Sequence, residues 1–265
     1  MGAAAVTARV SLQRGARRDV ATSCGLAFEK PGGPLVAVCA LVGGSGASTL
    51  AFALARQAAR ESSAPVLLAE SDARRAGLAL LAGQASPLCL LRLARDVADG
   101  RAPRRPFVEL DLGLRMIASA PHPVASPDAA DVRALLRDAR AAHGVVIVDC
   151  GTAWAAARPV LEEATHIVWT VTAERAAVAR ARMLFASGAL PPQGRWREVL
   201  VALQLERGRR ASVRALRRLA SQRCERLVLA AHSDVLTEAE LPAADSRLSR
   251  TLTGLAHTLR RDHAR

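Results

Sequence analysis

The sequence predicts a single doubly wound α/β domain with a mostly parallel sheet. Two observations carry this prediction. Short apolar runs alternate with helical stretches of about ten to fifteen residues, which is the pattern of βαβ units. The runs at 35–41 and 145–148 are also continuously apolar, as expected of strands buried on both faces. With 265 residues, the chain is long enough to bury a substantial core.

The domain is expected to span residues 34–265, after an N-terminal leader. Residues 1–33 show no sustained hydrophobic period and end in the cluster Lys30-Pro31-Gly32-Gly33-Pro34, which breaks regular structure. We therefore interpret 1–33 as a flexible or irregular segment.

Apolar runs place the predicted strands, and helical periodicity fills the gaps between them. The strands are expected at 35–41, 66–69, 114–117, 145–149, 167–171, 199–203 and 227–229. The helices are expected at 49–60, at 74–100 with a break near Ser86-Pro87, from Ser126-Pro127-Asp128 to about 142, at 173–186, from a Ser212 cap to about 222, and at 246–261.

Composition excludes several classes of protein. An apolar fraction of 51% argues against general disorder, and no uncharged apolar run reaches about 18 residues, as a membrane span requires. The first 33 residues have no continuous apolar segment of the kind that a secretory signal carries. The five cysteines form no CxxC pair, so neither a disulfide framework nor a zinc site is indicated. We expect a cytoplasmic protein.

The chain is strongly basic. Lys plus Arg is 37 against 24 for Asp plus Glu, a formal charge of +13, and Lys30 is its one lysine. Such a charge attracts polyanions, either nucleic acid or anionic lipid. The chain has no Tyr and few other aromatics, so stacking platforms for nucleic-acid bases are scarce.

A glycine-rich loop follows the first predicted strand. In doubly wound sheets ligands bind beyond the carboxyl ends of the strands, where backbone amides at a helix start can hold a phosphate. Ser48 is placed to offer its hydroxyl to Mg²⁺. The candidate phosphate-binding residues are Gly43, Gly44, Ser45, Gly46, Ala47, Ser48 and Thr49. The alternative is a tight glycine turn without a ligand, since the regular Walker pattern would need glycine at Leu41 and lysine at Ala47.

Two carboxylates follow later strands. Asp149 stands at the end of a β-branched strand, where a Walker B aspartate holds the shell of a Mg²⁺ ion. Asp72, after the second strand, could orient a water or contact the metal. Each could instead be a helix N-cap, and Asp149 could also be a solvated strand end.

These segments together resemble the MinD/ParA superfamily of P-loop ATPases. The run 41–51 looks like its deviant Walker A loop, usually Gly-Lys-Gly-Gly-Val-Gly-Lys-Thr-Thr, while Glu70-Ser71-Asp72 and 146–151 resemble its two switch segments. The variant Gly-Gly-x-Gly-Ala-Ser-Thr is similar to the TadZ/CpaE branch of septum-site and Flp/Tad pilus proteins. The resemblance covers about 35–259 and implies ATP, Mg²⁺ held by Ser48 and Asp149, and a catalytic or switch role for Asp72.

The departures from the family pattern concern the cations. Val42 stands where the family has its intermonomer lysine, and Ala47 where it has the phosphate lysine. Arg74 or Arg75 could substitute for them from a second subunit. Where the family places an adenine-reading Asn, this chain has Gln204 and Leu205. The resemblance therefore implies weak ATP binding with slow or absent hydrolysis.

Two further patterns each allow two interpretations. The last helix places Leu248, Leu252, Leu255 and Leu259 on one stripe near arginines, so it is either a basic amphipathic membrane helix or a core-facing helix. The arginines of 207–218 are either a solvated helix face or a patch for DNA or anionic membrane.

The expected function is a degenerate MinD/ParA-like ATP-binding protein. It would act as a dimeric localisation or assembly factor for the division site or for Flp/Tad pilus machinery. If it associates with the membrane, it would do so peripherally, on the cytoplasmic face. One alternative is an active ParA/MinD-type ATPase in DNA partitioning or septum positioning. The other is a scaffold that has lost nucleotide.

Overall fold

The computed structural model describes residues 32–71, 76–121, 127–194, 196–204, 211–231 and 247–261. The strands are β1 (Leu35–Ala40), β2 (Val66–Glu70), β3 (Val108–Glu109), β4 (Leu114–Ile117), β5 (Val145–Gly151), β6 (His166–Thr172), β7 (Arg197–Gln204) and β8 (Arg226–Ala231). The helices are α1 (Ala47–Glu61), α2 (Gly77–Ala82), α3 (Leu90–Ala98), α4 (Ala129–Ala142), α5 (Arg158–Glu163), α6 (Arg175–Ala186), α7 (Val213–Ala220) and α8 (Arg247–Arg261).

The strands form one sheet in the order β3-β4-β2-β5-β1-β6-β7-β8. All neighbours are parallel except β3 and β4, which pair antiparallel at one edge. The predicted mostly parallel, doubly wound sheet is confirmed. From β1 the chain moves outward to β2 on one side and later to β6 on the other, so the end of β1 is the switch point where such sheets bind ligands.

Helices cover both faces of the sheet. One apolar core lies beneath α3, α4, α5, α6 and α7, and a second lies beneath α1, α2 and α8. All six residues of β1 are buried, as are the first six of β5. Burial on both faces explains why these strands are continuously apolar rather than alternating.

The structure corrects some predicted boundaries. Asp128, rather than Ser126, caps α4, because its carboxylate accepts a hydrogen bond from the amide of Ala130 at 2.8 Å; Ser126 lies outside the described residues. The Ser212 cap of α7 is confirmed, with its hydroxyl accepting from Ala215 N. The strand β5 runs two residues beyond Asp149. Both α5 and β3 are additional elements.

The C-terminal helix α8 is part of the core. Its residues Leu252, Leu255 and Leu259 are buried in the same cluster as α1, and Thr253 accepts a hydrogen bond from the Gln57 side chain at 2.9 Å. The prediction that this helix faces the core is therefore confirmed for these three leucines. The side chain of the fourth, Leu248, is not among those that the structure describes. Among the described helices, none is both long and apolar enough to cross a membrane.

Candidate functional site

The glycine loop joins β1 to α1 at the carboxyl end of the central strand. Gly44 and Gly46 adopt left-handed conformations, with φ of 76° and 73°. Side chains other than glycine rarely adopt such values. The amide of Ser45 donates to Val42 O at 3.2 Å, and the first helical bond runs from Leu50 N to Gly46 O at 2.8 Å. The loop is thus a compact turn that presents the start of a 15-residue helix.

Ser45 fixes this loop to the sheet. Its side chain is buried, and its Oγ lies 2.8 Å from Oγ1 of Thr170 on β6. On the same side Leu203, near the end of β7, packs against the loop: a Cβ added to Gly46 would lie 2.5 Å from Leu203 Cδ1. Gly46 is therefore favoured by its φ, and a side chain here would also displace the Leu203 methyl group.

The two loop positions that carry lysine in the MinD/ParA family hold apolar residues in this chain. Ala47 is buried as the first residue of α1, and Val42 is half-buried against the core under α3 to α7. The loop itself therefore carries no lysine, and the positive charge that it offers to a phosphate is the partial charge of the main-chain amides at the start of α1.

Ser48 lies beside the end of β2. A Cβ added to Gly77 would lie 2.7 Å from Ser48 Oγ and 3.8 Å from Glu70 Oε1. Glu70 is buried, and its Oε1 accepts a hydrogen bond from Gly77 N at 2.7 Å. The hydroxyl of Ser48 and the carboxylate of Glu70 therefore both lie next to Gly77, at the carboxyl edge of the sheet.

Asp149 reaches the same edge from β5. It is buried, its Oδ1 accepts from Gly151 N at 2.9 Å, and its main-chain oxygen accepts from Ser71 N at 2.9 Å. In the parallel register between β2 and β5, Glu70 and Asp149 are direct neighbours. Two buried carboxylates thus stand side by side at the strand ends.

The predicted site residues divide into two groups. The loop from Gly43 to Thr49 and Asp149 lie at the carboxyl edge of the sheet, on β1–α1 and on adjacent β5. Asp72, Arg74, Arg75 and Leu205 lie outside the described residues, as does the side chain of Gln204.

Glu70 is a further candidate site residue, to which the sequence analysis gave no role of its own. A signal was present, because an acid ends an otherwise wholly apolar strand, 66–69. Its position next to Ser48 and Asp149 depends on the strand order, which the sequence pattern does not specify.

The residues present fit a Mg²⁺-nucleotide. Mg²⁺ prefers oxygen ligands and is usually held by one or two protein groups together with substrate phosphates and water. Ser48, Glu70 and Asp149 provide a hydroxyl and two carboxylates at one edge. Within the described ranges, no cluster of three or more His, Cys, Asp or Glu side chains could hold a metal by protein groups alone. Beside Gly44, an added Cβ would meet nothing within 4 Å, so the loop borders open space.

Two thiols, Cys39 on β1 and Cys224 at the opposite, amino end of the sheet, have raised pKa values. Burial, together with the neighbouring Cys150, raises the pKa of Cys39 on β1 well above its ordinary value. Burial likewise raises the pKa of Cys224. Since the thiolate is the nucleophile, these two cysteines stay protonated and inert at neutral pH.

Comparison with solved structures identifies the fold. No family model matches the sequence, and no curated protein matches it. The chain is similar to a ParA family ATPase from Chlorobium tepidum TLS, with 15% identity over 86% of this chain and 99% of that chain and a TM-score of 0.64. It is similar to the MinC:MinD cell division protein complex of Aquifex aeolicus, with 16% identity over 85% and 95% and a TM-score of 0.66.

A third similar structure holds a ligand. It is the septum site-determining protein MinD complexed with Mg-ADP from Pyrococcus horikoshii OT3, with 14% identity over 85% of this chain and 95% of that chain and a TM-score of 0.63. At these identities the likeness establishes the architecture: this chain has the α/β fold of MinD/ParA P-loop ATPases. Each match extends over nearly the whole length of the other protein.

Proposed function

We propose that this chain is a degenerate MinD/ParA-like protein that binds ATP weakly and hydrolyses it slowly or not at all. It acts as a localisation or assembly factor, at the division site or in Flp/Tad pilus machinery, and its output is a binding surface for partner proteins. The observation that carries the proposal is a glycine loop at the carboxyl end of β1, with Gly44 and Gly46 in left-handed conformations, in which the position of the family's lysine is a buried alanine, Ala47.

In this proposal the loop amides from Gly43 to Thr49 hold the phosphates. Ser48 and Asp149 order Mg²⁺, whose chemistry when bound is to neutralise phosphate charge. Asp72 links the γ-phosphate to the segment after β2. A charge-assisted hydrogen bond contributes about 1.5–3 kcal/mol, so the missing lysine weakens binding about 10- to 100-fold.

The first test is calorimetric titration of the full chain with ATP, with and without Mg²⁺. We expect micromolar to sub-millimolar binding that weakens without Mg²⁺ and is lost in Ser48→Ala and Asp149→Ala. The exposed Ser63→Ala is the matched control and should bind as the parent does. No binding at millimolar ATP would overturn the proposal. The chain would then be a scaffold that has lost nucleotide, and its glycine loop would serve only as the turn between β1 and α1.

A gain of function tests the alanine directly. Ala47→Lys restores a cation at the first turn of α1, and we expect it to raise ATP affinity by about 10- to 100-fold. The control Ala58→Lys lies on the same helix away from the loop and would be expected to lower stability without raising affinity. Unchanged affinity in a folded Ala47→Lys variant would mean that the loop does not hold phosphate.

A surface that could bind DNA keeps a second candidate open, an active ATPase in DNA partitioning. The packed helices α6 and α7 carry exposed arginines without ion-pair partners among the described residues. They are Arg175, Arg180, Arg182, Arg214, Arg217 and Arg218. Such a face suits the phosphates of DNA or of an anionic membrane.

Binding assays on this α6–α7 face separate the candidates. ATP-dependent, salt-sensitive DNA binding with measurable turnover would favour the second candidate. Binding to anionic vesicles, or to neither polyanion, would favour the localisation factor. We further propose a homodimer, and sedimentation with and without Mg-ATP tests it: a monomer under both conditions would contradict it.

A further inference from the structure

The helices α6 and α7 present a strongly basic face to solvent. They pack side by side on the same side of the sheet, where their buried residues belong to one core. Neither helix contains an aspartate or a glutamate. The face therefore carries cations without anions between them. The exposed arginines of this α6–α7 face are Arg175, Arg180 and Arg182 on α6, and Arg214, Arg217 and Arg218 on α7.

Arginines on other helices of this chain have acidic partners. On α3, Arg92 Nε lies 3.1 Å from Asp96 Oδ1, and on α5, Arg158 Nε lies 3.0 Å from Glu162 Oε1. In both cases the partner stands one helical turn away. The arginines of the α6–α7 face have no ion-pair partner within the described residues, and like charges one turn apart on a helix are unfavourable. An acidic molecule bound to this face would remove that repulsion.

The exposed surface of α6 is apolar between its arginines. Met183, at 71% exposure, stands at the centre of this surface. At 3.6 residues per turn, Arg180 lies on one side of Met183, and Arg175 and Arg182 lie on the other. The remaining exposed positions of the helix are alanines. Because methionine is flexible and packs against varied partners, this centre suits an apolar contact with cations along both edges.

The combination of charge and apolar centre selects among partners. A second copy of this chain fits poorly, since a two-fold contact would place arginines against arginines. An anionic membrane or DNA would satisfy the arginines. However, helices that lie in a membrane surface insert Trp, Phe or Leu, whereas α6 exposes methionine and alanine. The phosphates of DNA would leave Met183 without an apolar contact. A protein segment with apolar and acidic side chains satisfies both parts of the face.

We propose that the α6–α7 face binds an acidic amphipathic helix of a partner protein. Apolar side chains of that helix cover Met183, and its carboxylates pair with the arginines of α6 and α7. Helices commonly dock in this way, with an apolar strip at the centre and charged pairs at the edges. The inference rests on the proposed role of this chain as a binding surface for partner proteins, and it does not require nucleotide.

The test uses the full chain without nucleotide and a labelled synthetic peptide, followed by fluorescence anisotropy. The peptide has about 20 residues, long enough to form a helix in water, with Leu and Ala on one face and Glu on both sides of it. A scrambled peptide of the same composition keeps the charge and loses the apolar face. We expect the amphipathic peptide to bind at least about tenfold more tightly than the scrambled one.

Variants at exposed positions locate the contact without threatening the fold. Met183→Glu places an anion at the centre of the contact and should weaken binding of the amphipathic peptide at least about tenfold. Arg180→Ala and Arg182→Ala should each weaken it about two- to fivefold. The matched controls are Leu80→Glu on α2 and Arg250→Ala on α8, both exposed and over the opposite core, and they should bind as the parent does.

The remaining outcomes are also decisive. Equal affinity for the two peptides, or no binding of either, would overturn the proposal. Tighter binding of duplex DNA or of phosphatidylserine vesicles than of the amphipathic peptide would overturn it too, and would assign the face to nucleic acid or to membrane. Because these titrations contain no nucleotide, their result is separate from that of the ATP titration.

Discussion

Buried carboxylates occur at both ends of the sheet, and their surroundings differ. At the amino end of β7, Glu198 is held by side chains. Arg223 donates to its Oε2 at 2.5 Å, and Trp169 and Trp196 donate to its two oxygens at 2.7 and 2.9 Å. At the carboxyl ends of β2 and β5, Glu70 and Asp149 accept from main-chain amides of Gly77 and Gly151.

We interpret the surroundings of Glu198 as a structural network, and those of Glu70 and Asp149 as part of the candidate site. Around Glu198, an arginine neutralises the charge, stacks 5.4 Å from the Trp169 ring and also donates to Pro191 O at 2.6 Å. That network is complete within the chain. Main-chain amides hold Glu70 and Asp149 in place beside the glycine turn. The loop end thus combines fixed carboxylates with a glycine turn, which is what a metal-nucleotide site requires.

The largest effect is expected from breaking the ion pair of Glu198 at the amino end of the sheet. Arg223→Ala leaves Glu198 as a buried charge without its counter-ion, and we expect the free energy of unfolding to fall by about 3–5 kcal/mol. Urea denaturation followed by circular dichroism measures it. The exposed Arg217→Ala should change stability by less than about 0.5 kcal/mol. A loss as small as this in Arg223→Ala would mean that Glu198 does not depend on its partner.

The next prediction tests the loop end, on the premise of the proposed function. Asp149→Asn keeps an oxygen that can accept from Gly151 N and removes the charge. We expect stability within about 1 kcal/mol of the parent, while Mg-ATP affinity falls about 10- to 100-fold. Calorimetry and urea denaturation check the two parts. Severe destabilisation with unchanged affinity would assign Asp149 the same structural role as Glu198.

Within the loop, two glycines sharpen the comparison. Both Gly44→Ala and Gly46→Ala place a side chain at positive φ, which costs about 1–2 kcal/mol. Only Gly46→Ala also meets Leu203, so we expect it to be the more destabilising change. In a double-mutant cycle with Leu203→Ala, the excess should disappear. If thermal denaturation showed equal losses of stability for the two variants, the contact with Leu203 would not contribute to the cost at Gly46.

The smallest effect concerns His143, a buried side chain that stays neutral and has no counter-ion role such as that of Arg223. Because the pKa of His143 is lowered in the folded state, the unfolded chain binds its proton first as pH falls below about 6.5. Stability contributed by the neutral ring is present above that pH and lost below it, by at most about 1.4 kcal/mol per pH unit. Thermal denaturation between pH 5 and 7.5 should show a flatter profile for His143→Gln. Identical profiles would contradict it.

The fold was predictable because burial on both faces leaves a direct trace in sequence. The continuous apolar runs that became β1 and β5, and the cap at Ser212, needed no long-range information. The helix α5 was missed because six residues carry too little periodicity to detect. The strand β3 was missed because it has two residues and depends on pairing with β4.

The site was predictable in its glycines and less so in its contacts. Glycine permits the positive φ found at Gly44 and Gly46, and the sequence itself places a carboxylate near the end of β5. The hydroxyl pair of Ser45 and Thr170 joins residues 125 positions apart. Likewise, Leu203 meets Gly46, and Glu70 lies beside Ser48, only after the strands have assembled. These contacts depend on strand order and packing, which local patterns do not encode.

The packing of α8 on α1 has a consequence for how the protein is made. The hydrogen bond from Gln57 to Thr253 spans 196 positions, and Leu252, Leu255 and Leu259 share a core with the helix that begins at the glycine loop. During synthesis, the outer face of α1 remains uncovered until α8 has emerged from the ribosome. The glycine loop therefore gains its full support late, and contacts of such long range form slowly. In the interval, the nascent chain exposes an apolar helix face that a chaperone could bind.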